Sequence, residues 1–513
     1  MRMLVAASRP ARFRPVLTLV LVTLALIVGW VGLEVYFAFS VRPGPKGVWA
    51  RQYQTHVESL AQPDPNGWEF FKSVLGVHTE ARTRLLASDS PFSIASSPSI
   101  GHIREGFWLI EPESGMLDAY FDSMTSADMS RDEARAIWDE SSALYQEWIR
   151  DFTSGPAWDR VTQLRTVMFA APAIESIQDS WHAVYELSMP ARNAHYTLRS
   201  SMVLARIAQD WQRYTESYEA SLAIGWCLGS QPLLIGRLTG QLILRSTNAE
   251  AMRAADEGVL PNIVIARMQT IRQRWSLPAR EYTIEGERML MLEGIDNMHA
   301  QRGRRIFGGQ HAVARVHPGV YQTLKQEPWY VNVKSILYPR RDDVVREVNE
   351  IYTAIQWLHS HPLRDQLLQY HSVKFEPILV RADEDYVFQG VDSDASPMTY
   401  IHEDMNAISV DVAFALAKYR NDFGTLPSSL NELVPDYIDE RPRDPFDPDG
   451  ESLRYIADPA TVSAYRTKMP YLLYSVGFDG IDDGGAPPEG AMSQALRPDF
   501  SGTDYILNDP DWR

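Results

Sequence analysis

The sequence predicts a multidomain protein. An amino-terminal transmembrane helix is followed by a mainly α-helical middle domain and a carboxyl-terminal α+β domain, in which one helix lies over a small antiparallel sheet. Three observations predict this. An uncharged apolar run follows four arginines near the start, and apolar residues then recur three and four apart from Gly47 to about Val380. The last stretch breaks into one amphipathic helix and short extended pieces bounded by proline and glycine.

Composition agrees with a folded, divided chain. At 513 residues it exceeds the size at which single cores stop growing. Apolar residues make up 45% and charged residues 22%, which excludes wholesale disorder. The net charge of −17 is unevenly placed: Val391 to Arg513 holds 23 Asp and Glu against 9 Lys and Arg. An acidic surface repels phosphate backbones, so no nucleic-acid partner is expected, whereas cations are attracted. The single cysteine, Cys227, excludes an intramolecular disulfide and any multi-thiolate metal site, and its neighbours Ile224, Trp226 and Leu228 mark it as a buried structural thiol.

Residues 1–14 form a basic segment expected in the cytoplasm, and residues 15–39 a signal anchor. No charge occurs between Arg14 and Glu34, and a helix over Val16 to Leu33, extended by Val35 to Phe39, is long enough to cross a bilayer. Arg2, Arg9, Arg12 and Arg14 precede it and Arg42 and Lys46 follow, so the positive-inside bias places the bulk of the chain on the extracytoplasmic, periplasmic side. The apolar run is longer than that of a cleaved signal peptide, and Ala38-Phe39-Ser40 is a poor cleavage site, so retention in the lipid bilayer is expected.

Residues 40–390 read as the helical domain. Ser130 with Glu133 resembles a capping box opening a helix whose Trp138, Leu144, Tyr145, Trp148 and Ile149 share a face. The clearest hairpin runs from Ala194 to Leu228: Leu198, Met202, Ala205 and Ala208 line one helix, Gln209-Asp210 fall at a turn, and Trp211, Tyr214, Tyr218, Leu222 and Trp226 line the next. This pair resembles a tetratricopeptide-type helical hairpin, although no 34-residue recurrence runs along the chain. The aromatic stripe reads as core packing. Basic residues gather at Arg302-Gly303-Arg304-Arg305 and at Arg340-Arg341, where a solvated helix end is the simplest reading.

Catalytic constellations are few. Asp179 with His182 and Asp296 with His299 each place an acid and a histidine on one helical face, and Glu175 and Glu293 lie one turn earlier. Di-iron bundles use such pairs, but with glutamate rather than aspartate. With 12 His and 66 acidic residues in the chain, one or two such spacings arise by composition alone. His359, His361 and His371 match neither a helical zinc pair nor a known catalytic spacing. No nucleophile elbow, phosphate-binding loop or His-Glu-x-x-His helix occurs. No catalytic residue is named from the sequence, and an anchored hydrolase or metalloenzyme with dispersed residues in the helical domain stands as the alternative.

Residues 391–513 carry the most specific pattern. Met405 to Tyr419 is an amphipathic helix through Ile408, Val412, Ala415, Leu416 and Tyr419, ended by Phe423-Gly424 and barred from continuing by Pro427. A serine caps a short turn over Ser428 to Val434, and Leu453-Arg454-Tyr455 and Tyr471 to Val476 have strand character. Asp444-Pro445-Phe446 precedes Gly477-Phe478-Asp479-Gly480-Ile481-Asp482-Asp483-Gly484-Gly485. Asp479, Asp482 and Asp483 crowd five residues, and their repulsion calls for water, separation or a cation. Calcium suits glycine turns that aim carbonyls and carboxylates inward.

In this order the segments resemble the soluble domain of the major pseudopilin of type II secretion. The resemblance implies a calcium-binding loop in which Asp479 fits the Gly-x-Asp-Gly element and Asp504, in Thr503-Asp504-Tyr505-Ile506, fits a later acid that closes the site; Asp482 and Asp483 are further candidate ligands. The ion it implies is structural. The interval from Ala486 to Ser501 is longer than that family's, and no Gly-Phe-Thr-Leu-type processing site precedes the apolar run. The expectation is a non-enzymatic envelope scaffold that contacts another protein through its tail, with a component of a secretion or pilus-like system as a further alternative.

Overall fold

The computed structural model describes residues 48–59, 67–85, 131–167, 170–172, 177–298, 341–370, 398–458, 470–488 and 502–508. The expected anchor at 15–39, the basic cluster at 302–305, Glu175, His299, His371 and the expected domain boundary at 390/391 lie outside them. Among the described residues, no helix is long and apolar enough to cross a membrane.

The body is helical: α1 (Val48–Glu58), α2 (Trp68–Leu85), α3 (Arg131–Phe152), α4 (Pro156–Gln163), α5 (Ile177–Ala208), α6 (Trp211–Gly229), α7 (Leu234–Asp256), α8 (Asn262–Arg274), α9 (Arg280–Met298), α10 (Arg341–His359) and α11 (Leu363–Tyr370). At its centre α5, α6 and α7 pack side by side. The hairpin read from the sequence is α5 and α6, but its first helix starts seventeen residues earlier than Ala194. Gln209 takes a positive φ of 55° at the turn, and Asp210 caps α6 by accepting the Arg213 N–H at 3.1 Å. The aromatic stripe is core: Tyr214 and Tyr218 are fully buried. Where α6 and α7 meet, a Cβ on Gly240 would lie 2.5 Å from the Gly225 carbonyl oxygen and from the Gly229 Cα, so the two backbones touch without side chains between them.

Helix α9 serves as a clamp on this centre. Its Glu293 accepts the Ile177 N–H at 2.8 Å, and its Glu287 accepts the Leu234 N–H at 2.5 Å. Two buried glutamates thus satisfy donors at the amino ends of α5 and α7 that have no partner within the helix, where the helix dipole favours negative charge. On its other side α9 packs with α1 and α10 in a second core formed by Ile284, Leu292, Ile295, Val348, Tyr352 and Ile355.

The carboxyl-terminal unit starts with α12 (Met398–Phe423) and continues through a 3-10 turn (Leu430–Leu433) into β1 (Arg454–Ile456), β2 (Leu472–Ser475) and β3 (Tyr505–Ile506). Both pairings are antiparallel in the order β1-β2-β3, with Tyr455 opposite Leu473 and Ser475 opposite Tyr505. The α-helix over a small antiparallel sheet follows the expectation, with two differences. α12 is longer at both ends than the amphipathic segment 405–419, and β3 adds a strand at Tyr505-Ile506 that two residues of alternation could not announce. Gly424, at φ 76°, ends the helix, and the Ser429 hydroxyl caps the turn by accepting the Asn431 N–H.

Helix α12 belongs to two cores at once. Val410, Ala413, Phe414 and Ala417 enter the main cluster of the body, whereas Ile401, Met405, Val412, Ala415 and Leu416 close the cluster over the sheet. Both rows follow helical spacing, so the helix is apolar on two faces and polar only at their borders. Those borders are tied to the body. Glu403 pairs with Arg237 and Gln241, Asp404 with Arg280 and Asp411 with Arg272, while Arg420 donates to the Asp256 carbonyl at 2.7 Å. From the tail proper, the Tyr471 hydroxyl reaches the Asp256 carboxylate at 2.8 Å.

Candidate functional site

The four aspartates singled out in the sequence are brought together by closure of the loop after β2 onto the segment that leads into β3. Asp479 accepts the N–H of Ile481 and, from the far side of the loop, the N–H of Gly502, each at 3.0 Å. Asp504 accepts the N–H of Gly485 at 2.7 Å and that of Asp483 at 3.4 Å, and its own N–H donates to the Ala486 carbonyl. Asp482 accepts from the Tyr474 hydroxyl, the Gly484 N–H and the Arg454 guanidinium, which also binds Asp447. Gly485 holds φ 81°, and a Cβ there would fall 2.3 Å from Leu472 Cδ2, so only glycine lets the turn lie against β2.

Beneath the loop Asp444 is buried and fully engaged, accepting from the Phe446 N–H, the Ser475 hydroxyl and the Val476 N–H. This carboxylate, in the Asp-Pro-Phe element, fixes the end of β2 and so the point from which the aspartate loop departs.

The electrostatics of the loop are unfavourable to its own charges. Burial pushes the Asp504 carboxyl up to about 7, and Asp482 and Asp483 add to the effect. Asp483 is raised by burial and then by Asp479 and Asp482. Two oxygens at this place are buried without a hydrogen-bond partner: Asp483 Oδ2 and Thr503 Oγ1. Buried polar atoms normally find partners, so these two oxygens stand out in the segment that carries the aspartates. As the side chains stand, most carboxylate oxygens are turned onto backbone N–H groups or Arg454. Among the described residues, no three His, Cys, Asp or Glu groups are placed to hold a metal ion.

The described acids of the second histidine-and-acid constellation do other work. Asp296 of the second pair accepts the Trp49 indole N–H at 2.8 Å, and Glu293, one turn earlier, caps α5, so both hold helices together. His359 bonds the Gln366 amide and meets the Tyr400 ring edge-on, while His361 lies against Trp357. Inside the body His195 Nδ1 lies 2.8 Å from the Ser221 hydroxyl, which is 2.7 Å from Thr247 Oγ1. Both His195 and Ser221 are fully buried, and burial lowers the imidazole to about 3, helped by Arg199 and Arg192. The cluster links α5, α6 and α7 inside the core. Cys227 is buried as expected, and burial raises its thiol far above the ordinary range.

A feature that sequence reasoning missed is a cleft of about 700 Å³ between the body and α12. Arg199 on α5, Arg245 on α7 and Arg272 on α8 line it together with Trp275, Leu238, Leu242 and, from α12, His402. His402 Nδ1 lies 3.0 Å from the Tyr505 hydroxyl of β3, and burial followed by Arg245 lowers its imidazole to about 4. The lining comes from residues far apart in the chain, at no motif spacing, which is why no local pattern marked it.

No family model matches the chain, and no curated protein or solved structure does so.

Proposed function

We propose that this chain is a membrane-anchored envelope scaffold, not an enzyme, whose pseudopilin-like tail is stabilised by a structural calcium ion and makes contact with another protein. The observation that carries the reading is the loop closed by Asp479 on Gly502 and by Asp504 on Gly485, with the partnerless oxygens of Asp483 and Thr503 beside it. Asp479, Asp482, Asp483 and Asp504 would hold the ion, which would neutralise a cluster that is otherwise self-repelling. Calcium takes about six to eight oxygen ligands in flexible geometry, and carboxylates released from their backbone turns supply that chemistry. The scaffold role is supported by α12, which fastens the tail to a helical body through two apolar faces. The uncharged run at 16–33 supports the anchor.

The test is thermal unfolding of the full chain with calcium and with a chelator. A calcium-dependent rise in Tm that Asp483→Asn and Asp504→Asn each remove supports the reading; an unchanged Tm in the parent chain ends the calcium part. The anchored topology is read separately, from the activity of alkaline phosphatase fused to the carboxyl end, an enzyme that matures only outside the cytoplasm.

A further inference from the structure

We propose that the cleft between the helical body and α12 binds an anionic amphiphile, a small molecule with a phosphate or carboxylate head on an aliphatic chain. The volume of about 700 Å³ lies within the range of small-molecule sites, roughly 300–1,000 Å³. Its wall divides by chemistry. Arg199, Arg245 and Arg272 line it, and planar guanidinium donors suit carboxylate and phosphate oxygens.

The carboxylates in the wall, Glu403 and Asp404, are already engaged by Arg237 and Arg280. Arg272 binds Asp411 through one terminal nitrogen, yet its Nε is buried with no hydrogen-bond partner. A donor left in that state is costly, and the arginine that carries it lines the cleft.

The same cleft is bordered by an apolar surface. Leu238 and Leu242, one turn apart on α7, line it while remaining 39% and 45% exposed. Tyr185 and Met189 on the neighbouring helix α5 are also more than half exposed. Ser188 of α5 meets Thr239 of α7 at 3.4 Å, which places these four side chains on adjoining turns of the two helices. A head group set against the arginines would therefore lead its hydrocarbon over Leu238 and Leu242, and contact with apolar surface is what an aliphatic chain gains by leaving water.

Four probes test this on the full chain by calorimetric titration: octyl phosphate, octanoate, inorganic phosphate and octyl glucoside. Saturable binding of octyl phosphate or octanoate is expected, with inorganic phosphate and octyl glucoside each at least about tenfold weaker, the weight of the missing chain or the missing charge. Arg272→Gln is expected to weaken the charged amphiphile about tenfold, the scale of one charge-assisted hydrogen bond. Leu242→Ser, at an exposed position that folding tolerates, is expected to weaken it several-fold without strengthening inorganic phosphate. Equal binding of inorganic phosphate would overturn the apolar half of the proposal, and equal binding of octyl glucoside the anionic half. Absence of binding by both charged amphiphiles, or an unaltered affinity in Leu242→Ser, would overturn it whole.

Discussion

The guanidinium of Arg237, 2% exposed in helix α7, grips both carboxylate oxygens of Glu403 on α12 at 2.9 and 3.0 Å. It donates from its other terminal nitrogen to the Pro278 carbonyl and lies over the Tyr400 ring. One buried cation thus joins the central helices, the turn before α9 and the first turns of the tail.

Removal of one partner from such a pair leaves the other desolvated. Glu403→Ala is expected to destabilise the chain by about 2–4 kcal/mol, near the low side of the range for buried pairs because Glu403 keeps some solvent contact. Urea unfolding measures it, and a loss below about 0.5 kcal/mol would show the bridge to be no stronger than a surface pair.

The acidity of Asp504 gives the ion-free tail an unusual pH response. Its folded value near 7 lies above the unfolded value of about 4. The folded tail therefore holds a proton that the unfolded chain releases, and the associated stability is complete below about pH 4 and lost as pH rises through 7. Chelated protein should show this segment's hydrogen exchange accelerating from pH 5 to pH 8 beyond the intrinsic chemical increase. In Asp504→Asn the excess should disappear; if it persists, another group is responsible.

The body should respond in the opposite sense. His78 and His195 are held near 3 by burial, against about 6.5 when unfolded. The unfolded chain takes up their protons first, so this stability is complete above about pH 6.5 and declines as pH falls toward 3. A His195→Gln chain should lose less stability than the parent between pH 7 and pH 5. Equal slopes would exclude His195 as a contributor.

Two glycines should not accept alanine. Gly240→Ala must separate α6 from α7, because the added carbon meets backbone rather than a movable side chain. Gly485→Ala combines a positive φ with contact against Leu472. A cost of about 1–3 kcal/mol or more is expected for each, measured by chemical denaturation. Gly424→Ala has open space around it and should lose only the cost of its φ, about 1 kcal/mol.

Much of this was legible in the residues, for identifiable reasons. The turn at Gln209-Asp210, the end of α12 at Gly424 and the serine cap at Ser429 each rest on backbone chemistry carried by one or two residues, so local reading found them. The strand β3 was hidden because Tyr505-Ile506 is too short to show alternation and depends on its partners in β2. The cleft was hidden for a related reason: Arg199, Arg245, Arg272 and His402 meet only through packing. Glu293 shows how local spacing misleads, since its place one turn before Asp296 and His299 suggested ligation, while the fold uses it to cap a helix 116 positions away.

The double burial of α12 bears on how the polypeptide can be cut. A fragment beginning at residue 398 would expose Val410, Ala413, Phe414 and Ala417 to water, and one ending before it would strip the body of the same side chains. Neither half keeps its interior when severed, so dissection at this junction should yield aggregation on both sides rather than two soluble pieces.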